Sequence, residues 1–125
     1  MRDFKKLNVW HSSHQLVLKV YQITQFFPKE ELFGLTSQMR RSFASISYNI
    51  SEGAGRNSEK EFANFLNIAL GSSNEAENQL ILAKDLKYIT NENFEILTEE
   101  LIIVKKQLIV LRNKLITQNS SENKG

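Results

Sequence analysis

Residues 91–118 read NENFEILTEELIIVKKQLIVLRNKLITQ. Phe94, Leu97, Leu101, Val104, Leu108, Leu111 and Leu115 step by three and four without a break. That alternation holds one apolar seam on a single side of a helix, where a partner helix can cover it. The segment before it, 59–88, carries the same step through Phe62, Leu66, Ala69, Ser73, Ala76, Leu80 and Ala83. Segment 31–54 gives Leu35, Met39, Phe43, Ile46 and Ile50, and segment 8–27 gives Trp10, Ser13, Val17, Val20, Thr24 and Phe27. Between the segments stand helix-breaking signals. Pro28 disfavours helical geometry at Phe27. Gly53 and Gly55 offer a left-handed C-cap, and Ser58 with Glu61 makes a capping box. Thr90 or Asn91 can cap the last helix. Helices of about 20–30 residues run about 30–45 Å, and short links make successive ones antiparallel. The expectation is an all-α, antiparallel up-down-up-down four-helix bundle, one domain over 1–118, with a polar flexible tail over 119–125.

Composition agrees. One Pro and five Gly in 125 residues are too few turn-formers for a sandwich or barrel. There is no Cys, which excludes disulfides, iron–sulfur clusters and thiol catalysis. No unbroken apolar run exceeds four residues, whereas a membrane span needs about 20. The start, MRDFKKLNVW, has no apolar stretch behind its charges, so no secretory leader is expected and the reading is cytoplasmic, without a membrane partner. Net charge is +2, but its distribution is uneven: Lys and Arg outnumber acids over 1–57, and acids outnumber them over 58–125.

The last segment carries more apolar surface than one seam uses. Ile102, Ile109 and Ile116 recur every seven residues, as do Ile96, Ile103 and Val110. On a helical wheel both rows point sideways or outward from the seam. Either the seam is broader and takes in one row, or the rows form a subunit interface, most simply in a closed cyclic homo-oligomer. The small seam residues of the third helix, Ala69, Ser73, Ala76 and Ala83, let a neighbouring backbone approach, and Gly71 is read as a close helix contact.

Polar residues concentrate on the second helix: Arg40, Arg41, Ser42, Ser45, Asn49, Glu52, then Arg56. One reading is a phosphate-binding strip, with Arg40, Arg41 and Arg56 as guanidinium forks and Lys60 and Arg112 as further contacts. The other is a structural polar network between helices through Asn49, Glu52 and Glu75, with Glu75 an interior acceptor. His11 and His14 share a helical face, but neither Glu-x-x-His nor His-Glu-x-x-His occurs, so no metal site and no cofactor is expected. Glu75 and Glu77 point about 200° apart on a helix, unlike a catalytic pair. With no phosphate loop or nucleophile elbow either, no enzyme is expected.

The stretch FGLTSQMRR over 33–41, then Ser45-Ile46, Asn49-Ile50-Ser51-Glu52-Gly53 and Gly55-Arg56, resembles the signature of the four-helix-bundle proteins encoded in 23S ribosomal RNA intervening sequences. FKKLNVW over 4–10, Phe26-Phe27-Pro28 with Glu31, and Ala69-Leu70-Gly71-Ser72 followed by Glu75, Glu77, Gln79 and Leu80 agree with it. Departures are Ser47 where the family often has Pro, Ser51 for Ala, and Ala76 for Leu. The resemblance implies a bundle that assembles as a ring, typically a homopentamer. It also implies a relation to accessory proteins of diversity-generating retroelements, which bind nucleic acid and a reverse transcriptase. A ring repeats each arginine, and a chain charge of +2 becomes about +10 in a pentamer. The function expected is non-enzymatic binding of RNA or DNA through backbone contacts, with a protein-adaptor ring as the alternative.

Overall fold

The computed structural model describes residues 2–124, with side chains through residue 118. Where a flexible tail is expected over 119–125, the last helix continues as far as Lys124, and the side chains of that stretch lie outside the described residues. Four helices follow one another: α1 (Asn8–Thr24), α2 (Leu35–Ala54), α3 (Glu59–Asp85) and α4 (Asn91–Lys124). Short 3-10 turns at Phe4–Lys6 and Lys29–Glu31 complete the order. No strand occurs among the described residues, and 84% of the chain is helical. Each helix packs on two others, α1 and α3 both lying between α2 and α4. Cross-helix contacts fix the antiparallel register: Ser45 meets Ser72, Lys105 meets Glu77, and further along the same pair of helices Arg112 meets Asn67. Among the described residues no helix is long and apolar enough to cross a membrane.

The core follows the three-four step. On α2, Leu35, Met39, Phe43, Ile46 and Ile50 are buried, and on α3 all seven seam residues from Phe62 to Ala83 are. On α4, Leu97, Leu101, Val104, Leu108 and Leu115 are buried, while Phe94 and Leu111 are half-buried at its edge. On the first helical stripe Ser13, Val20, Thr24 and Phe27 are buried as expected, but Val9 and Leu16 take the inward places where Trp10 and Val17 are only partly covered. Trp10 instead joins an edge cluster, packed against Phe4 (5.0 Å) and stacked on His14 (4.8 Å).

The links hold further corrections. The second helix begins at Leu35, not near 31, because Glu31 folds back to cap it: its Oε1 accepts from Leu35 N at 3.2 Å. Gly34 makes this possible, since a Cβ there would lie 2.6 Å from that oxygen. Glu31 Oε2 also accepts from the Tyr88 hydroxyl at 3.0 Å, tying the two links at that end together. Gly53 and Gly55 do not turn left-handed; neither has positive φ. Gly53 instead admits α3, because a Cβ would meet Phe65 Cβ at 2.7 Å and Phe62 Cδ1 at 2.8 Å. The left-handed cap falls on Lys87 (φ 63°), where Tyr88 N donates to Ala83 O and Lys87 N to Lys84 O, closing α3 as a Schellman motif. Half of the capping box at Ser58 forms, with Glu61 N donating to Ser58 Oγ at 3.1 Å, and Thr90 caps α4 by accepting from Asn93 N at 3.1 Å. Gly71 makes no close helix contact: a Cβ there would meet nothing within 4 Å.

Candidate nucleic-acid interface

With Met39, Phe43 and Ile46 committed to the core, Gln38, Arg41, Ser42 and Ser45 fall on the shoulder of α2 that faces α3. Opposite them stand Ser72 and Glu75 of α3, and together they line a mostly polar cleft of about 420 Å³. Ser45 and Ser72 bridge its floor, Oγ to Oγ at 2.9 Å. Asn49 secures Ser45 by donating to its carbonyl and hydroxyl at 2.8 and 3.0 Å. Arg41 is exposed, with no hydrogen bond or ion pair among the described residues. Glu75 is exposed as well and accepts only from Gln79, at 3.4 Å.

The structure does not gather the five basic candidates on one strip. Arg40 turns away from Arg41 toward α1, where its Nε donates to Thr24 Oγ1 at 2.9 Å and its guanidinium lies 4.7 Å from the Tyr21 ring centre. Successive residues on a helix diverge by about 100°, which is why the two neighbours serve different faces. Arg56 pairs with Glu52 at 2.7 Å and covers Phe65 at 4.7 Å. Arg112 reaches Asn67 at 3.2 Å. Lys60 is exposed in the first turn of α3. Nor do Asn49, Glu52 and Glu75 form a single network. Asn49 and Glu75 each bond a residue four away on their own helix, and Glu52 bonds Arg56, four residues on and just past the end of α2. Glu75 is a surface acceptor rather than an interior one.

Sequence reasoning missed Arg2. Its two guanidinium nitrogens clamp Glu59 at 2.7 and 2.8 Å, its backbone N donates to Ala54 O at 2.9 Å, and it sits 5.4 Å over the Phe62 ring. Hydrogen bonding to Arg2 holds the Glu59 carboxyl below its usual range, against a smaller opposing effect of burial. Nothing in the local sequence pairs residues 57 positions apart. Arg2, Arg56 and Lys60 thus share one end of the bundle, with Lys5 and Lys6 in the turn beside them. The opposite end carries Glu30, Glu31, Asp85, Glu92 and Glu95 together with Lys29, Lys84 and Lys87. Among the described residues no cluster of three His, Asp or Glu could hold a metal ion.

Both extra rows of α4 lie open in the single chain: Ile96, Ile102, Ile103, Ile109, Val110 and Ile116 are 39% to 68% exposed. They occupy opposite shoulders. Lys105 and Arg112, which reach across to α3, interleave with Ile102, Ile109 and Ile116. Ile103 and Val110 line grooves against α1, the larger of about 410 Å³ beside Leu7, Val9 and Leu111. Neither row is part of a broader seam.

The 23S rRNA-intervening sequence protein family matches residues 5–110. This chain belongs to that family. Among solved structures, it is similar to a crystal structure of a protein with unknown function from the S23 ribosomal protein family of Bacteroides thetaiotaomicron VPI-5482. The two share 32% identity with a TM-score of 0.78, covering 84% of this chain and 95% of that one. No curated protein matches. The family assignment carries no indication of an enzyme, and its function is unknown.

Proposed function

We propose that this member of the intervening-sequence family is a non-enzymatic bundle that assembles with copies of itself into a cyclic ring, five-fold in the simplest reading. In this reading the ring binds structured RNA in the cytoplasm through the phosphate backbone. The observation that carries the reading is the exposed pair of aliphatic rows on α4. Each fully buried Ile or Val side chain is worth roughly 1.5–3 kcal/mol, so six left wet on one helix favour a partner surface. Assembly then multiplies a modest charge. Arg41 is unpaired among the described residues and Lys60 is exposed in the first turn of α3, whereas Arg56 is already paired with Glu52. Repeated around a ring, these sites act together through avidity. Arg40 and Arg112 are engaged within the chain and contribute less.

Filter binding of RNA by the verified oligomer tests the RNA half. Retention at low salt should fall steeply as salt rises, because neutralised phosphates release counterions. No retention of RNA or DNA at low salt would refute it. A second reading, a protein-adaptor ring, draws on Phe26 and Phe33, which are 86% and 93% exposed at the acidic end. It is the kind of role that a relation to retroelement accessory proteins would suggest. Recovery of a partner protein after nuclease treatment would favour it.

A further inference from the structure

The cleft between α2 and α3 brings together two opposite charges that do not pair. Arg41 and Glu75 line the same cavity of about 420 Å³, and no ion pair joins them. Arg41 offers a planar fork of donors. Glu75 offers two carboxylate oxygens, one of them turned to Gln79 Nε2. Of the two hydroxyl hydrogens on Ser45 and Ser72, their mutual bond uses one and leaves the other to donate. The cleft thus asks for a ligand with adjacent acceptors for the arginine and adjacent N–H donors for the carboxylate.

We propose that this cleft holds one unpaired guanine, read by Arg41 on the N7 and O6 acceptors and by Glu75 on the N1–H and N2–H donors. Guanine alone among the bases sets two acceptors beside two donors that can face one carboxylate together. Cytosine and adenine turn a ring-nitrogen acceptor toward the carboxylate beside their amino group, and uracil offers one N–H between two carbonyls. Arginine on N7 and O6 is the commonest specific contact to this base. Sequence-specific RNA recognition takes unstacked bases of this kind from loops and ends. The inference rests on the nucleic-acid reading above and narrows it, adding one base-specific contact to backbone binding.

Fluorescence anisotropy at fixed salt tests it with uridine-only oligoribonucleotides that carry a single guanine, adenine or cytosine, or none. The guanine oligonucleotide should bind roughly tenfold tighter than the others. Glu75→Gln should collapse that ratio, and so should Arg41→Lys, which keeps the charge but loses the fork. Both side chains are exposed, and unchanged circular dichroism melts will show that the variants fold. Equal affinity for all four oligonucleotides, with RNA still bound, would overturn the guanine pocket and leave the backbone reading standing. A guanine preference that survives both substitutions would also overturn the pocket. Calorimetry with guanosine monophosphate separates the remaining arms. Saturable binding lost in Glu75→Gln, with no RNA binding, would support the pocket for a free nucleotide and overturn the RNA reading. Binding of neither probe would overturn both.

Discussion

Gly53 and Gly71 are both glycines inside helices, and their surroundings give them opposite roles. Gly53 faces Phe62 and Phe65 at distances no Cβ can share. Gly53→Ala should therefore lower stability by about 1–3 kcal/mol, the usual cost of overpacking. Gly71 faces open space, so Gly71→Ala should raise helix stability by about 0.5–1 kcal/mol. Parallel thermal melts check both signs, and equal shifts in the two variants would contradict this account. Glu59 gives a pH signature. Its carboxyl is held low by Arg2, so the unfolded chain binds that proton more readily than the folded one. The stabilisation is present above the ordinary glutamate range and is lost as pH falls through the lowered value. Denaturation curves of wild type and Glu59→Gln should converge in acid and separate toward neutral pH, by a small amount since the pair is partly exposed. Separation in acid with coincidence at neutral pH would reverse the sign and refute the argument.

At the level of single helices, the small seam of α3 sets how closely the bundle closes. Ala76 is fully buried. Ala76→Leu should cost about 1–3 kcal/mol, and a melt at or above wild type would argue against the packing described. The seams of α2, α3 and α4 were legible because three-four spacing survives in any order of helices. The stripe of α1 was legible at Ser13, Val20 and Thr24 but not at Trp10 and Val17, since those two fit the same period as Val9 and Leu16, which point in instead. The start of α2 escaped for a related reason: Glu31 caps it from four residues away through a carboxylate that also binds Tyr88. Gly71 was misread because an interior glycine signals a close approach only when something approaches. Among polar residues, Arg41 could be singled out from spacing, but its isolation from Arg40 and its place opposite Glu75 depend on how α2 is turned. Arg2 carries no local signal at all.

Across the whole molecule, charge and grease are distributed unevenly. The end formed by the start of α1 and the α2–α3 link gathers Arg2, Lys5, Lys6, Arg56 and Lys60 among Asp3, Glu52, Glu59 and Glu61, while at the other end Glu30, Glu31, Asp85, Glu92 and Glu95 outnumber Lys29, Lys84 and Lys87. A single chain of net charge +2 has little long-range pull on RNA. Copies arranged around one axis with like ends together would repeat Lys5, Lys6 and Lys60 around one rim, which ties the proposed activity to assembly. The aliphatic rows of α4 are what would drive that assembly. Sedimentation velocity at micromolar concentration, on wild type and on a variant with Ile102, Ile109 and Ile116 changed to Ser, tests this most directly. The account predicts a single species at a whole multiple of 14.4 kDa for wild type, five-fold in the simplest ring, and a shift toward the single chain in the variant. A clean 14.4 kDa monomer for wild type would contradict it.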